Sequence, residues 1–272
     1  MCRLLGCVSR TPTTLTGLLG EVALAQFTEL SRQHGDGWGI ACGAHDRVEV
    51  HRAVDAARTS DAFSQTVRER PVELAMVHLR WATLGLPVAL HNAHPFTDGR
   101  LAFAHNGSVA PPSSLDRLLS DRVRPALRGD TDSERLFLAV LSRLEPGADD
   151  DTVGQAYAET VREVAQTLAA GSLNSMLMTP TRLYAACCYD PAAERRESEP
   201  GYYRLGYRVT EDTVIVGSSG WGAGWQDLAN GHLLAVDRGT LRVRVSPLGV
   251  SWPAREAQAV TPPSTMTVAP CM

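Results

Sequence analysis

Several features are missing from this 272-residue sequence, and each absence excludes something. No apolar run is long enough to span a bilayer: the most apolar early stretch, Leu15 to Leu30, is interrupted by Glu21, Gln26 and Glu29. No basic surplus exists either, since 26 Lys and Arg face 30 Asp and Glu for a net charge of −4. Neither nucleic acid nor an anionic membrane is therefore an expected partner. The six cysteines include no C-x-x-C pair, which argues against a zinc ribbon, and a chain of this size needs no disulfide framework. No internal repeat is found. The opening Leu4-Leu5-Gly6-Cys7 imitates a lipoprotein cleavage box, but only six residues precede Cys7, too few for a basic and an apolar segment. A cytoplasmic location is the expectation.

What is present is ordinary globular composition, 44% hydrophobic and 21% charged, enough for one large domain or two small ones. Cys2 to Val8 reads as a buried strand and Leu15 to Gln33 as a helix. A glycine-rich turn, Gly35 to Gly39, leads to a short strand at Ile40 to Cys42, and Arg47 to Val54 suggests its partner. Ser60 to Arg68 is helical with Ser60 or Asp61 as cap. Val72 to Arg80 is strand-like, Leu84 to Gly99 mainly loop, and Leu101 to His105 a strand ending at Asn106-Gly107. Two amphipathic helices follow, one with Leu136, Phe137, Val140, Leu141 and Leu144 on one face, the other with Val153, Tyr157, Val161, Val164 and Leu168. The remainder reads as strands: Ser175–Thr179, Leu183–Cys188, Tyr203–Val209, Thr213–Gly217, His232–Val236 and Leu241–Val245. This order suggests a mixed fold on antiparallel sheets, with a domain over 2–252 and a flexible C-terminal tail over 253–272.

Cys2 stands out by position. A thiol attacks only as thiolate and needs a base. If Met1 is removed, Cys2 carries its own: the free α-amine, with a reference pKa of about 7.7–8.0, is suited to general-base work near neutrality. The bland alternative is that Cys2 merely begins a strand, and Cys7, Cys42, Cys187 and Cys188 read as core thiols. Other residues also admit two readings. Arg80, after a strand, offers a fork for a carboxylate or a surface ion pair. Asn106 and Gly107 offer two oxyanion donors or a hairpin turn. Asp132 offers a carboxylate for an ammonium group or a helix cap.

Taken in order, MCRLLG, the RWAT run, Asn92-Ala93-His94-Pro95-Phe96, AHNGSV and TDSE resemble the class II glutamine amidotransferases, which are N-terminal-nucleophile (Ntn) hydrolases. The motifs span Cys2 to Arg143, with a looser likeness through Ser172 to Val245. Stand-alone members are most similar, in particular γ-glutamyl hydrolases of ergothioneine-type pathways. The resemblance implies an α+β fold, a four-layer αββα sandwich of two antiparallel sheets. It also implies roles. Cys2 attacks the γ-carbonyl and passes through a γ-glutamyl thioester, Asn106 and Gly107 hold the oxyanion, Arg80 with Thr83 takes the α-carboxylate, and Asp132 takes the α-ammonium. His94 and Trp81 shape the pocket. No cofactor and no metal are implied.

The histidines His78, His91, His94 and His105 can be imagined as a zinc site, but His-x-x-His is a weak signal and carboxylates nearby are sparse. Trp38 is expected in the core. One departure from the family is Val216 to Trp221, followed by Trp225, where a glycine-rich loop replaces an Ala-Ser-Glu turn. If it faces the site, it helps select what lies beyond the γ-amide. The expected function is hydrolysis of glutamine or a γ-glutamyl conjugate, a small-molecule substrate, with release of glutamate. The alternatives are a glutaminase subunit that hands ammonia to a separate synthase chain, and a catalytically silent binder of glutamine-like ligands.

Overall fold

Strand β1 (Arg3–Thr13) is apolar on both faces, and this sets the layering. Successive side chains of a strand point to opposite faces. Leu4 and Val8 therefore turn into one apolar cluster, and Leu5 and Cys7 into another. The computed structural model describes residues 2–82, 86–194, 201–218 and 221–252. Within them β1 lies at the centre of a seven-stranded sheet. Its order is β11 (Gln226–Leu228), β9 (Leu205–Val209), β10 (Thr213–Ser218), β1, β4 (Val72–Leu79), β2 (Trp38–Ala44), β3 (Arg47–Ala53). A six-stranded sheet runs β13 (Val243–Pro247), β12 (His232–Asp237), β8 (Arg182–Cys187), β7 (Ala170–Met178), β6 (Ala102–Val109), β5 (Phe96–Thr97). All the pairings are antiparallel.

The two sheets face each other across Leu4, Leu74 and Met76 from one side and Met176, Leu183 and Leu234 from the other, none of them exposed. Each such side chain removed from water contributes about 1.5–3 kcal/mol, so this layer is a principal source of stability. The outer face of the seven-stranded sheet is covered by α1 (Leu15–Leu19), α2 (Glu21–Glu29) and α3 (Asp61–Glu69) through Leu15, Phe27 and Phe63. The outer face of the six-stranded sheet is covered by α4 (Asp132–Ser142) and α5 (Asp150–Thr167) through Leu136, Phe137, Tyr157 and Val161. Helix, sheet, sheet and helix give the four-layer α+β sandwich that the resemblance implies.

Several sequence expectations need correction. The helix anticipated over Leu15 to Gln33 is two helices and a 3-10 turn, because Gly20 takes φ 78° between α1 and α2. Asn106-Gly107 does not end a strand in a turn. Both lie inside β6, opposite Asn174 and Leu173. Ser60 caps α3 as expected, but Thr131, not Asp132, caps α4, its Oγ1 accepting the Glu134 N–H. Strand β11 and the short helix α6 (Pro191–Glu194) went unread, since three and four residues show no period. The stretch expected as loop, Leu84 to Gly99, does contain a 3-10 turn at Leu90–Asn92 and strand β5. The tail over 253–272 lies outside the described residues.

Candidate active site

Cys2 sits one residue before β1, at the end of a central strand, and is only 8% exposed. Its Sγ donates toward the Trp81 carbonyl at 3.7 Å and accepts the Trp81 N–H at 3.5 Å. Burial pushes the Cys2 thiol pKa up, against a lowering by the Trp81 hydrogen bond and by Arg80. The thiol is therefore neutral at rest and needs a proton acceptor before it can attack.

The segment that meets it is fixed by Asp36, in the glycine-rich turn. The Asp36 N–H donates to the Arg80 carbonyl at 3.0 Å, its Oδ2 accepts the Ala82 N–H at 2.8 Å, and the Arg80 N–H donates to Gly37 at 2.8 Å. Arg80 is 3% exposed, yet among the described residues its two amino groups reach only the Asp36 and Pro87 carbonyls, each at 3.4 Å. Burial lowers its pKa, opposed by Cys2 and Asp36. A buried guanidinium with long, neutral contacts retains donors for an anion.

Strand β6 supplies a second wall. A Cβ on Gly107 would stand 1.8 Å from the Ser172 carbonyl on β7, so only glycine fits there. Its neighbour Asn106 is 1% exposed, and among the described residues neither its side-chain oxygen nor its nitrogen has a hydrogen-bond partner. The groups around it are, by contrast, well bonded. His105 contacts Ser133 Oγ through Nδ1 at 2.9 Å and the Ser172 carbonyl through Nε2 at 3.1 Å. Since a carbonyl only accepts, Nε2 carries the proton and the Ser133 hydroxyl donates to Nδ1. Asp132 Oδ1 accepts the Ser133 N–H at 2.8 Å, and its Oδ2 accepts the Val109 N–H at 2.7 Å, tying the start of α4 to the end of β6.

His94 and His78 stack with ring centroids 4.1 Å apart, and His94 meets Phe96 edge-on at 4.8 Å. Burial drives the His78 pKa down to about 3 and that of His94 well below its ordinary value. His94 is 5% exposed with both ring nitrogens unbonded. Among the described residues no group of three or more His, Cys, Asp or Glu converges in a way that would hold a metal ion.

Cys2, Arg80, Trp81, His94, Gly107 and Asp132 thus border one cavity of about 30 Å³, with Asn106 next to Gly107 in the chain. That is room for a water or two and not for a glutamyl head group. Thr83 lies outside the described residues. Trp81 is 44% exposed at the rim, its ring edge-on to His34. Trp38 is core, its Nε1 donating to Asp55 at 3.0 Å. Trp221 packs on Phe27 and Trp225 over the outer helices and does not line the cavity. Residues 219 and 220 of that loop lie outside the described residues. The sequence reading missed Asp36, Ser133 and Ser172. Asp36 had a signal, its place between Gly35 and Gly37, and Ser133 lay inside TDSE. Ser172 had none, because its contribution is chiefly a carbonyl oxygen brought there by β-pairing.

The model of the class-II glutamine amidotransferases matches residues 1–200. The chain is 28% identical over 179 residues to "Probable glutamine amidotransferase DUG3" of Saccharomyces cerevisiae, covering 57% of this chain and 50% of that protein. It is 32% identical over 158 residues to the glutamine–fructose-6-phosphate aminotransferase (isomerizing) of Gluconobacter oxydans, covering 57% of this chain and 23% of that one. The chain thus spans half or less of the length of these curated relatives. Among solved structures, a glutamine aminotransferase class-II domain protein from Silicibacter pomeroyi superposes with a TM-score of 0.61 at 20% identity, covering 90% of this chain and 99% of that one. With the family model spanning well over half of its length, the chain belongs to the class-II glutamine amidotransferases.

Proposed function

We propose that the protein hydrolyses the γ-amide of glutamine or of a γ-glutamyl conjugate, with Cys2 as N-terminal nucleophile. The observation that carries this reading is the Asn106 carboxamide, buried to 1% exposure and without a hydrogen-bond partner among the described residues, beside a glycine on the cavity that holds the thiol. An unsatisfied buried amide is costly, and an oxyanion is the partner that would satisfy its N–H. With Met1 removed, the α-amine of Cys2 takes the thiol proton as sulfur bonds to the γ-carbon. The carbonyl electrons move onto oxygen, toward the Asn106 side-chain amide and the Gly107 N–H. Their return breaks the C–N bond, and the amine leaves with the proton. Water then cleaves the γ-glutamyl thioester, releasing glutamate and restoring the thiol. Arg80, with Thr83, takes the substrate α-carboxylate, Asp132 its α-ammonium, and Trp81 and His94 wall the pocket.

The match to about a quarter of the Gluconobacter aminotransferase supports a second reading, in which ammonia passes to a separate synthase chain. Both readings share the nucleophile and are tested together. Cys2→Ala should lose glutamate release by a factor on the order of 10⁶ while the fold survives. Intact mass should show the active protein beginning at Cys2. Near-normal turnover by the variant, or full activity of protein that retains Met1, would overturn the mechanism.

A further inference from the structure

A second cavity, of about 660 Å³, lies on the outer face of the six-stranded sheet, away from Cys2. Its size falls within the range of roughly 300–1,000 Å³ usual for small-molecule sites. β-Pairing builds its floor. Tyr184 on β8 stands opposite Ala235 on β12, and Ala235 opposite Arg244 on β13. One row away, Arg182 stands opposite Asp237. Small residues make the hollow. Ala235 leaves space between the Tyr184 ring and Arg244, and Gly154 of α5 lets that ring lie so near the helix that a Cβ there would be 2.7 Å from it.

Charge is distributed unevenly along this groove. At one end the acids are already matched: Arg182 pairs with Asp151, and lies 3.6 Å from Asp237 and 3.9 Å from Asp150. Asp237 also accepts both the N–H and the hydroxyl of Thr240. At the other end, Arg242 and Arg244 share the outward face of β13 and its approach, about 7 Å apart along the strand. Neither guanidinium has a hydrogen-bond or ion-pair partner among the described residues. Two unspent arginine forks beside a hollow that Ala235 leaves open fit one chemistry.

We infer that this groove is a second ligand site, which binds a small organic anion with a flat apolar body. The phosphate or carboxylate head engages Arg242 and Arg244, and the body fills the hollow over Ala235, against the narrow edges that the nearly buried Tyr184 and Leu233 leave open. The alternative role for charges on an edge strand is to discourage pairing with another strand, which requires neither the hollow nor the ring. The site shares no residue with the Cys2 cavity and does not depend on its chemistry.

The test is calorimetric titration of the full chain at low ionic strength with phenyl phosphate, benzoate and inorganic phosphate. Phenyl phosphate should bind with a Kd of roughly 0.1–1 mM. Inorganic phosphate, which lacks the body, should bind at least several-fold more weakly, and benzoate shows whether a carboxylate head suffices. Arg244→Ala should weaken phenyl phosphate about 10-fold or more. Ala235→Leu, which fills the hollow, should weaken phenyl phosphate and leave inorganic phosphate unchanged. Glutamate release should be normal in both variants. Equal affinity of the wild type and Arg244→Ala for phenyl phosphate, or no binding heat at about 10 mM, would overturn the proposal.

Discussion

The two walls beside Cys2 treat their polar groups in opposite ways. Where α4 meets β6, Asp132, Ser133 and His105 are bonded to backbone or to one another. The Asn106 amide and the His94 ring are as deeply buried and have no hydrogen-bond partner among the described residues. A bonded buried group holds the fold in register. An unbonded one costs about 1–3 kcal/mol and is tolerated when something outside the fold completes it. The difference separates groups the fold already holds from groups with polar atoms to spare, and Asp132, held on both oxygens yet proposed for the substrate ammonium, tests the line between them.

The sharpest way to break that comparison, after removal of Cys2 itself, is Asn106→Ala. If the amide serves the transition state, kcat should fall by about 10²–10³ while Tm holds or rises, because an orphaned polar group has been deleted. Melting curves beside kcat decide it. A loss of Tm in step with kcat would make Asn106 a structural residue like its neighbours.

Asp132→Asn should do both kinds of damage. It leaves one of the Val109 and Ser133 N–H groups facing an amide donor, which lowers stability by about 1–2 kcal/mol. It should also cost about 10- to 150-fold in kcat/KM on γ-glutamyl anilide, the range for losing one charge-assisted bond. The N-acetyl substrate, which has no ammonium, should be largely spared. Equal losses on the two substrates would leave Asp132 only its tie between α4 and β6.

The last effect is a slope with pH, small at any one pH near neutrality. His78 is held neutral, its pKa depressed by burial to about 3, against about 6.5 in an unfolded chain. Between those values the unfolded state binds more protons, so this contribution is whole above about pH 6.5 and is lost as pH falls toward 3. His94 and His105, depressed for the same first reason, act with the same sign. His78 adds up to about 1.4 kcal/mol per pH unit in that window. Unfolding free energies at pH 5, 6 and 7 should show a shallower slope for His78→Leu than for the wild type. An unchanged slope would mean that the ring protonates inside the fold.

The central layers were legible because their residues repeat with the period of the element. Leu4, Leu5, Cys7 and Val8 sit in an apolar strand whatever their partners, and the Tyr157 face of α5 recurs at helical spacing. Boundaries failed where a single backbone angle intervened, as at Gly20, or where a turn signal was overridden, as at Asn106-Gly107. There, pairing with Asn174 and Leu173 carries the strand on to Val109. Of the site, Cys2, Arg80, His94, Asn106 and Asp132 had been picked out, Asp36 and Asn92 had not, and neither had what bonds to each of them.

By itself the sequence determined the layered α+β fold, the family and several of the side chains that border the Cys2 cavity, among them Arg80, Trp81, His94 and Asp132, because periodicity and ordered motifs are properties of neighbouring residues. Only the tertiary structure decided which of those side chains are already satisfied. It alone set the Ser172 carbonyl against Gly107, Asp36 under the Arg80 segment, and Arg244 across a hollow from Tyr184. Each of these contacts joins positions tens of residues apart, and their meeting is fixed by strand register and sheet packing, which no local run of residues encodes.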